Sequence, residues 1–493
     1  MSQLFTVDLQ GGTPVQITHG TSAHRAPCWA PDGRRIACSR CRDGVGDYYV
    51  TDIWVMDADG SGAWRLTEDI GRATSPCWSP DGSAVACYGT ARQDSTLGDP
   101  VVHVWVVPAG QGRPVQVTRD LDRGVMLHPR HLTTPPAIWS GDGTSLTFSV
   151  ADAGNVHLVR TWLSDPRTTR IVGGDRHVVA YSASPPADRI AFVSSELFDP
   201  ADLWVCDWAG TGQRRLTRVN ESVTAGWLLP RVERRTFPGP HGGELDGWVW
   251  RPAVGDGSLP MLLDIHGGPH AFFGNVFVHG HFYRYVLACR GWAVLTLNST
   301  GSGSYGSAFA GAIRGRWGEY DLPEQLAAVD ALVAEGLADG RRLAITGYSY
   351  GGFMTAWTIA HTDRFRAAVV GGPVVDLDSF HGTSDIGWCF GAWELGGDVA
   401  SNRERYGRLS PINLVERIVT PTLVVHGEAD DRCPIGQGEE LFVGLIAAGK
   451  APAEMVRYPG SAHLFNVGGL PSHRVDYCRR TIDWVERHTL GGR

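Results

Sequence analysis

Residues 343–361 read LAITGYSYGGFMTAWTIAH, and their order decides how the second half of the chain folds. LAIT at 343–346 is a short apolar run that predicts a strand, and FMTAWTIAH at 353–361 predicts a helix. Between them stands Gly347-Tyr348-Ser349-Tyr350-Gly351, a G-x-S-x-G element followed by Gly352. Alone, that pattern is weak evidence. Placed between a strand and a helix, it predicts a strained, tight turn that leaves the Ser349 hydroxyl exposed at the end of a sheet. The glycines let strand and helix approach closely.

Outward from this turn the sequence alternates. PMLLDI at 260–265, WAVLTLN at 292–298, FRAAVV at 365–370 and PTLVVHG at 421–427 are continuous apolar runs. LPEQLAAVDALVAE at 322–335, EELFVGLIAAG at 439–449 and CRRTIDWVERHTL at 478–490 have helical character. Strands apolar on both faces and separated by helices predict a doubly wound, mostly parallel α/β sheet. RVERRTFPGPHGGELDGWVWRPA, where the character of the chain changes, predicts a hairpin with its tip at H-G-G. The domain boundary is expected at about 232, giving domains 1–232 and 233–493.

A serine nucleophile needs a base, and the base needs an orienting acid. VVHGEADDRCP offers Asp430 and Asp431 as the acid, and RYPGSAHLF offers His463 as the base. Both segments follow the C-terminal ends of predicted strands, where a doubly wound sheet puts its ligand crevice. The oxyanion of an attacked carbonyl needs two N–H donors. One is expected from the backbone of Tyr350, the residue after the nucleophile. The other is expected from the loop His266-Gly267-Gly268-Pro269, at Gly268. His266 reads as a structural hydrogen-bonding residue rather than a second base.

The first half is a repeat. PCWAPDG at 27–33 and PCWSPDG at 76–82 match, IWSGDG at 138–143 is a weaker copy, and YSASPPAD at 181–188 is a degenerate one. Each is followed by a short apolar strand, then a second such as DIWVMDADG or DLWVCDWAG, then a third such as WRLT or RRLT. The period is about 50 residues. Asp-Gly turns joining alternating strands predict antiparallel sheets that cannot bury both faces alone and so pack against one another, as in a β-propeller. Four full units and a fragment, LFTVDLQGGTPVQIT at 4–18, are visible. The expected fold is therefore an incomplete N-terminal β-propeller of about four to five blades, its start truncated or its ring small or open, plus a C-terminal α/β-hydrolase domain.

Composition narrows the function classes. The 493 residues are 43% hydrophobic with 18 Trp, which excludes wholesale disorder. A net charge of −8 offers no basic field for nucleic acid or an anionic membrane. No secretory leader is visible at MSQLFTVDLQ, and no apolar run reaches ~18 residues. The ten cysteines are too few for a disulfide scaffold in a chain this long, so free thiols and a cytoplasmic setting are expected. Cys38 and Cys41 form a lone C-x-x-C, and the pairs His128/His131 and His279/His281 lack partners at metal spacing. No metal and no cofactor are expected.

A repeated β region followed by HGGPH at 266–270, GYSYGG at 347–352, GTSDIG at 382–387, WELGG at 393–397, HGEADDRCPI at 426–435, VRYPGSAH at 456–463 and PSHR at 471–474 resembles the prolyl oligopeptidase family of serine peptidases. The detail is similar to its acylaminoacyl-peptidase, or bacterial dipeptidyl-aminopeptidase-like, branch. The resemblance implies that Asp430 is the acid of the D-x-R pattern, with Asp431 a neighbour. It implies that Arg432 binds a substrate carbonyl, and that Trp388 and Phe390 line an apolar pocket for the P1 residue. It also implies short peptide substrates and family members that assemble into dimers or larger forms. Two features depart from the pattern. Asn298-Ser299-Thr300-Gly301-Ser302 stands where the family usually has N-P-R-G-S, and the propeller is shorter than the family's seven blades.

The expected function is a serine peptidase that hydrolyses short peptides, N-acylated or with an apolar P1 residue, through an acyl-enzyme on Ser349. A carboxylesterase of the same fold shares this chemistry. A non-catalytic propeller protein with a vestigial hydrolase is the third reading.

Overall fold

A computed structural model of the chain describes residues 2–42, 50–91, 101–110, 112–125, 134–255 and 257–491. The His128/His131 pair lies outside the described residues. The chain divides into two compact units, Met1–Glu221 with Ser304–Ser307, and Ser222–Gly303 with Ala308–Arg493.

The repeat of the first unit is set by its turns. Gly33, Gly82 and Gly143 each adopt φ of +70°, a left-handed conformation that glycine takes without strain. The aspartate before each glycine accepts from the N–H two residues on: Asp32 from Arg34 at 2.9 Å, Asp81 from Ser83 at 3.0 Å and Asp142 from Thr144 at 3.1 Å. Each turn thus joins two antiparallel strands. The resulting sheets run His24–Trp29, Arg35–Cys41, Thr51–Asp57, Trp64–Arg65, then Gly71–Trp78, Ala84–Thr90, His103–Pro108, Val115–Gln116. A third comprises Ile138–Trp139, Ser145–Asp152, Asn155–Trp162 and Asp165–Val172. The fourth comprises His177–Ser184, Arg189–Glu196, Asp199–Cys206 and Arg214–Arg215, with Asp188 at φ +52° in place of the turn glycine. One parallel bridge, Val156 to His177, links the third sheet to the fourth. Phe5–Thr6 pairs with Val15–Gln16 ahead of them all.

Neighbouring sheets share cores. Ile53, Val55, Trp78, Val85 and Cys87 form one cluster across the first two sheets, and Tyr88, Val104, Trp139, Leu146 and Phe148 form another across the second and third. The same bond stitches both junctions. Trp78 Nε1 donates to Cys28 O, and Trp139 Nε1 donates to Cys77 O, each at 3.2 Å.

The second unit is built on one eight-stranded sheet. Its order is Arg231–Pro238, Glu244–Arg251, Ala293–Leu297, Leu259–Ile265, Ala338–Tyr348, Phe365–Gly371, Thr422–Gly427, Ala453–Tyr458. The first two pairings are antiparallel and the rest parallel. The central strands are buried along their length because helices cover both faces, which is why they read as unbroken apolar runs. The helices include Asp321–Ala334, Tyr350–His361, Ile435–Ala448 and Pro471–Thr489. The boundary expected at 232 falls inside Arg231–Pro238, the first strand of this sheet. The chain joins the second unit earlier, where Trp227 stacks on Phe277 and meets Phe282 edge-on. Among the described residues no helix is long and apolar enough to cross a membrane.

Candidate active site

From Leu259–Ile265 the chain goes to Ala293–Leu297 on one side and returns to Ala338–Tyr348 on the other. The order of strands reverses there, so the loops leaving these two strands diverge and open a crevice. One loop begins at His266. The other strand ends at Tyr348, and Ser349 follows it.

Ser349 has φ 63° and ψ −119°. That conformation costs on the order of 1–3 kcal/mol in a non-glycine residue and persists only where its surroundings enforce it. Ser349 N–H donates to Gly371 O at 2.8 Å, and Ser349 O accepts from Phe353 N–H at 2.9 Å. A Cβ on Gly347 would lie 2.3 Å from Gly351 O, and one on Gly351 would lie 2.1 Å from Ile265 O. Only glycine permits that approach.

His463 Nε2 lies 2.9 Å from Ser349 Oγ, and its Nδ1 lies 2.7 Å from Asp430 Oδ2. Asp430 Oδ1 accepts from the N–H groups of Arg432 and Cys433 at 3.0 and 2.9 Å. Buried His426 donates from Nε2 to Cys433 O at 2.7 Å and stands 3.5 Å from Asp430 Oδ2. Burial alone would raise the Asp430 pKa. The bonds from His426, His463 and the Cys433 N–H outweigh it and hold the carboxyl at about 2. Asp430 is therefore ionised at neutral pH beside the imidazole. The side chain of Asp431 is exposed, and its carbonyl instead accepts from Asp385 N–H at 2.9 Å.

Tyr350 opens the helix Tyr350–His361, so its N–H is one of the donors without an acceptor inside the helix. Its hydroxyl donates to Asp321 Oδ2 at 2.7 Å, and Asp321 Oδ1 accepts from Gly318 N–H at 2.9 Å. Burial pushes the Asp321 carboxyl up to about 7. The facing loop lies against Ser349: a Cβ on Gly267 would sit 3.3 Å from Ser349 Cβ and 3.9 Å from its Oγ. Gly268 has φ +126°. His266 lies 2.8 Å from both Gly267 O and Ser302 Oγ, and burial lowers its pKa to about 4, so it is neutral. The stretch 298–302, which lacks the family's arginine, is held by Glu324. Its carboxylate accepts from Thr300 N–H at 2.7 Å and Thr300 Oγ1 at 2.6 Å.

Arg432 donates in a two-pronged bond to Asp385, at 2.7 and 3.0 Å. Ser384 Oγ donates to Arg432 O at 2.6 Å. Trp388 and Phe390 lie on one π-helical turn, Gly387–Gly391; Trp388 is 37% exposed and Phe390 9%. Phe390 packs on Trp317 at 6.2 Å between ring centroids. The sequence pattern missed Asp385 and Asp321, although GTSDIG was a marked stretch. Each binds its partner through folding rather than through spacing. His279 and His281 bond to Val467 O and the Tyr283 hydroxyl, and among the described residues no group of three metal-ligating side chains gathers.

Residues 279–492 match the model of the prolyl oligopeptidase family. An uncharacterized peptidase of Bacillus subtilis, YuxL, is 35% identical over 316 residues, covering 63% of this chain and 47% of that protein. The acylamino-acid-releasing enzyme of Arabidopsis thaliana is 32% identical over 214 residues, covering 41% of this chain and 27% of that one. The chain thus spans about half or less of the length of these curated relatives. Among solved structures, Pyrococcus horikoshii acylaminoacyl peptidase has the same fold, with a TM-score of 0.84 at 24% identity over 99% of this chain and 74% of that one. The match to the prolyl oligopeptidase family thus falls on the α/β unit that carries Ser349, Asp430 and His463.

Proposed function

We propose that the chain is a serine peptidase that cleaves short peptides through an acyl-enzyme on Ser349. The observation that carries this is His463, bonded at 2.9 Å to Ser349 Oγ and at 2.7 Å to Asp430. His463 takes the Ser349 proton as Oγ attacks the carbonyl, and Asp430 fixes the imidazole and stabilises its charged form. His463 then protonates the leaving amine, and water releases the acyl group by the reverse sequence. The N–H groups of Tyr350 and Gly268 receive the oxyanion. Arg432, steadied by Asp385, binds a substrate carbonyl, and Phe390 with Trp388 receives an apolar P1 side chain. Names of curated relatives, acylamino-acid-releasing enzyme and dipeptidyl-peptidase, support peptides as the substrate class.

The four sheets act as propeller blades in this reading; the recurring turns and the repeated Trp-to-carbonyl bond support it. A cytoplasmic setting fits ten cysteines that stand as free thiols. The test is a fluorophosphonate probe with the adduct located by mass spectrometry, followed by turnover of a peptide anilide and a p-nitrophenyl ester. Labelling at Ser349, lost in His463→Ala, with anilide turnover is the expected result. Ester turnover alone would make the chain a carboxylesterase. No labelling of folded protein would leave a non-catalytic chain.

A further inference from the structure

Two histidines flank the loop that faces Ser349, and their partners differ in kind. His266 faces a carbonyl and the Ser302 hydroxyl. A hydroxyl can turn its proton toward the ring, so a neutral imidazole satisfies both bonds. His270 has no such latitude. Its Nδ1 lies 2.7 Å from Gly301 O, and its Nε2 lies 2.9 Å from Glu394 Oε1. Both are oxygens that carry no proton of their own in the ordinary state. A neutral imidazole has one N–H, and Gly301 O takes it. A second proton must then sit between Nε2 and Oε1 for the contact to be a bond at all.

Glu394 is fully buried, and its other oxygen is also occupied: Oε2 accepts from Trp317 Nε1 at 3.2 Å. Trp317 stands edge-on to Tyr350 at 4.9 Å and packs on Phe390. One carboxylate therefore reaches the oxyanion loop with one oxygen and the wall of the P1 pocket with the other. The loop folds tightly back on itself between the two residues: a Cβ on Gly268 would lie 2.4 Å from His270 N and 2.5 Å from Ala271 N.

We propose that His270 and Glu394 share one proton that clasps the loop 266–270 to the segment Ala392–Leu395, making Glu394 a positioning residue for the oxyanion donor at Gly268. This rests on the serine-peptidase reading for its effect on rate, but the shared proton stands on geometry alone. The groups facing His270 are Glu394, which favours the cation, Arg314, which disfavours it, and His266, a neutral imidazole. Arg314 lies flat on Trp393 at 3.9 Å and donates to Trp393 O, beside Glu394. Tyr350 faces Glu394 as a neutral phenol, with Asp321 behind it. Burial works against the His270 cation, but Glu394 outweighs it and the His270 pKa is raised. The clasp is accordingly complete below the ordinary histidine value and is lost as pH rises through the raised one.

The test has two arms. The first is ¹⁵N-histidine NMR of the unsubstituted protein across pH. His270 is expected to keep both ring protons at a pH where a free histidine has lost one, and to lose the second in Glu394→Gln. Titration of His270 at or below the ordinary value overturns the proposal, whatever the chain's activity. The second arm is the pH profile of kcat/KM with a peptide anilide, after fluorophosphonate labelling has established a working Ser349. Glu394→Gln should lower kcat by about tenfold or more, with little change in KM, and shift the alkaline limb to lower pH. His270→Gln, which cannot titrate, should abolish that limb. An unchanged kcat and alkaline limb in both variants overturns the positioning role. An unlabelled parent protein would instead sink the peptidase reading and leave the NMR arm to decide the clasp.

Discussion

The two units use their hydrogen bonds differently. In Met1–Glu221 the bonds recur: the Asp-Gly turn is built three times with nearly the same lengths, and the Trp-to-carbonyl bond twice at 3.2 Å. In the α/β unit each site contact occurs once. Ser349 alone in that unit, among described non-glycine residues, takes φ of 63°, and His463 alone bridges it to Asp430. Repetition spreads stability over equivalent contacts, so loss of one is a local cost. A single constellation concentrates chemistry, so loss of one member removes the function while leaving the fold. Function here is expected to be fragile where structure is unique and tolerant where structure repeats.

That contrast can be broken by substitution, beginning with the largest effect. Ser349→Ala should lower kcat for a peptide anilide by about a thousandfold or more, with the melting temperature held or raised as the oxyanion loop keeps its place. A residual activity within tenfold of the parent would show that the chemistry lies elsewhere. Arg432→Ala and Asp385→Ala should each lower kcat/KM for peptides by about ten- to a hundredfold and spare a small ester, which has no second carbonyl beyond the scissile one for Arg432 to hold. The double variant should lose little more than either single one, because the two act as one unit. Equal losses on ester and peptide would assign the pair to folding.

A smaller effect lies in stability against pH. The buried Asp321 carboxyl titrates at about 7 in the folded protein, well above its ordinary 3.8. Below about pH 4 folded and unfolded chains both carry the proton. Between there and about pH 7 only the folded chain keeps it, so stability should fall as pH rises through that window and level off above it. Asp321→Asn should flatten this slope, read as melting temperature from pH 4.5 to 8. An unchanged slope would mean that another group sets it. Least of all, Trp139→Phe should cost about 1 kcal/mol in a denaturant titration, for one lost bond to Cys77 O. Its kcat should stay within a factor of about two of the parent. A large loss of activity would end the separation between repeated and unique contacts.

Much of this was legible in the chain. The run from LAIT through GYSYGG to FMTAWTIAH gave a strand, a strained turn and a helix, because short-range sterics and periodicity suffice for each. The Asp-Gly turns marked the repeated sheets for the same local reason. The candidates Asp430 and His463 followed from the rule that doubly wound sheets place their crevice beyond strand ends.

Other features required the tertiary structure. Residues alone left Asp430 and Asp431 open, and only the approach of His463 distinguishes them. The division at Glu221 was displaced from the expected 232 because Trp227 packs onto the α/β unit, a contact that no local pattern announces. Asp385 with Arg432 and His270 with Glu394 are far apart in sequence and have no periodic relation. Sequence by itself determined the elements and the chemistry-bearing residue types, since these depend on neighbours along the chain. Only the tertiary structure decided which charge meets which, because a buried charge must find its partner in space, and that pairing is set by how the strands and loops pack.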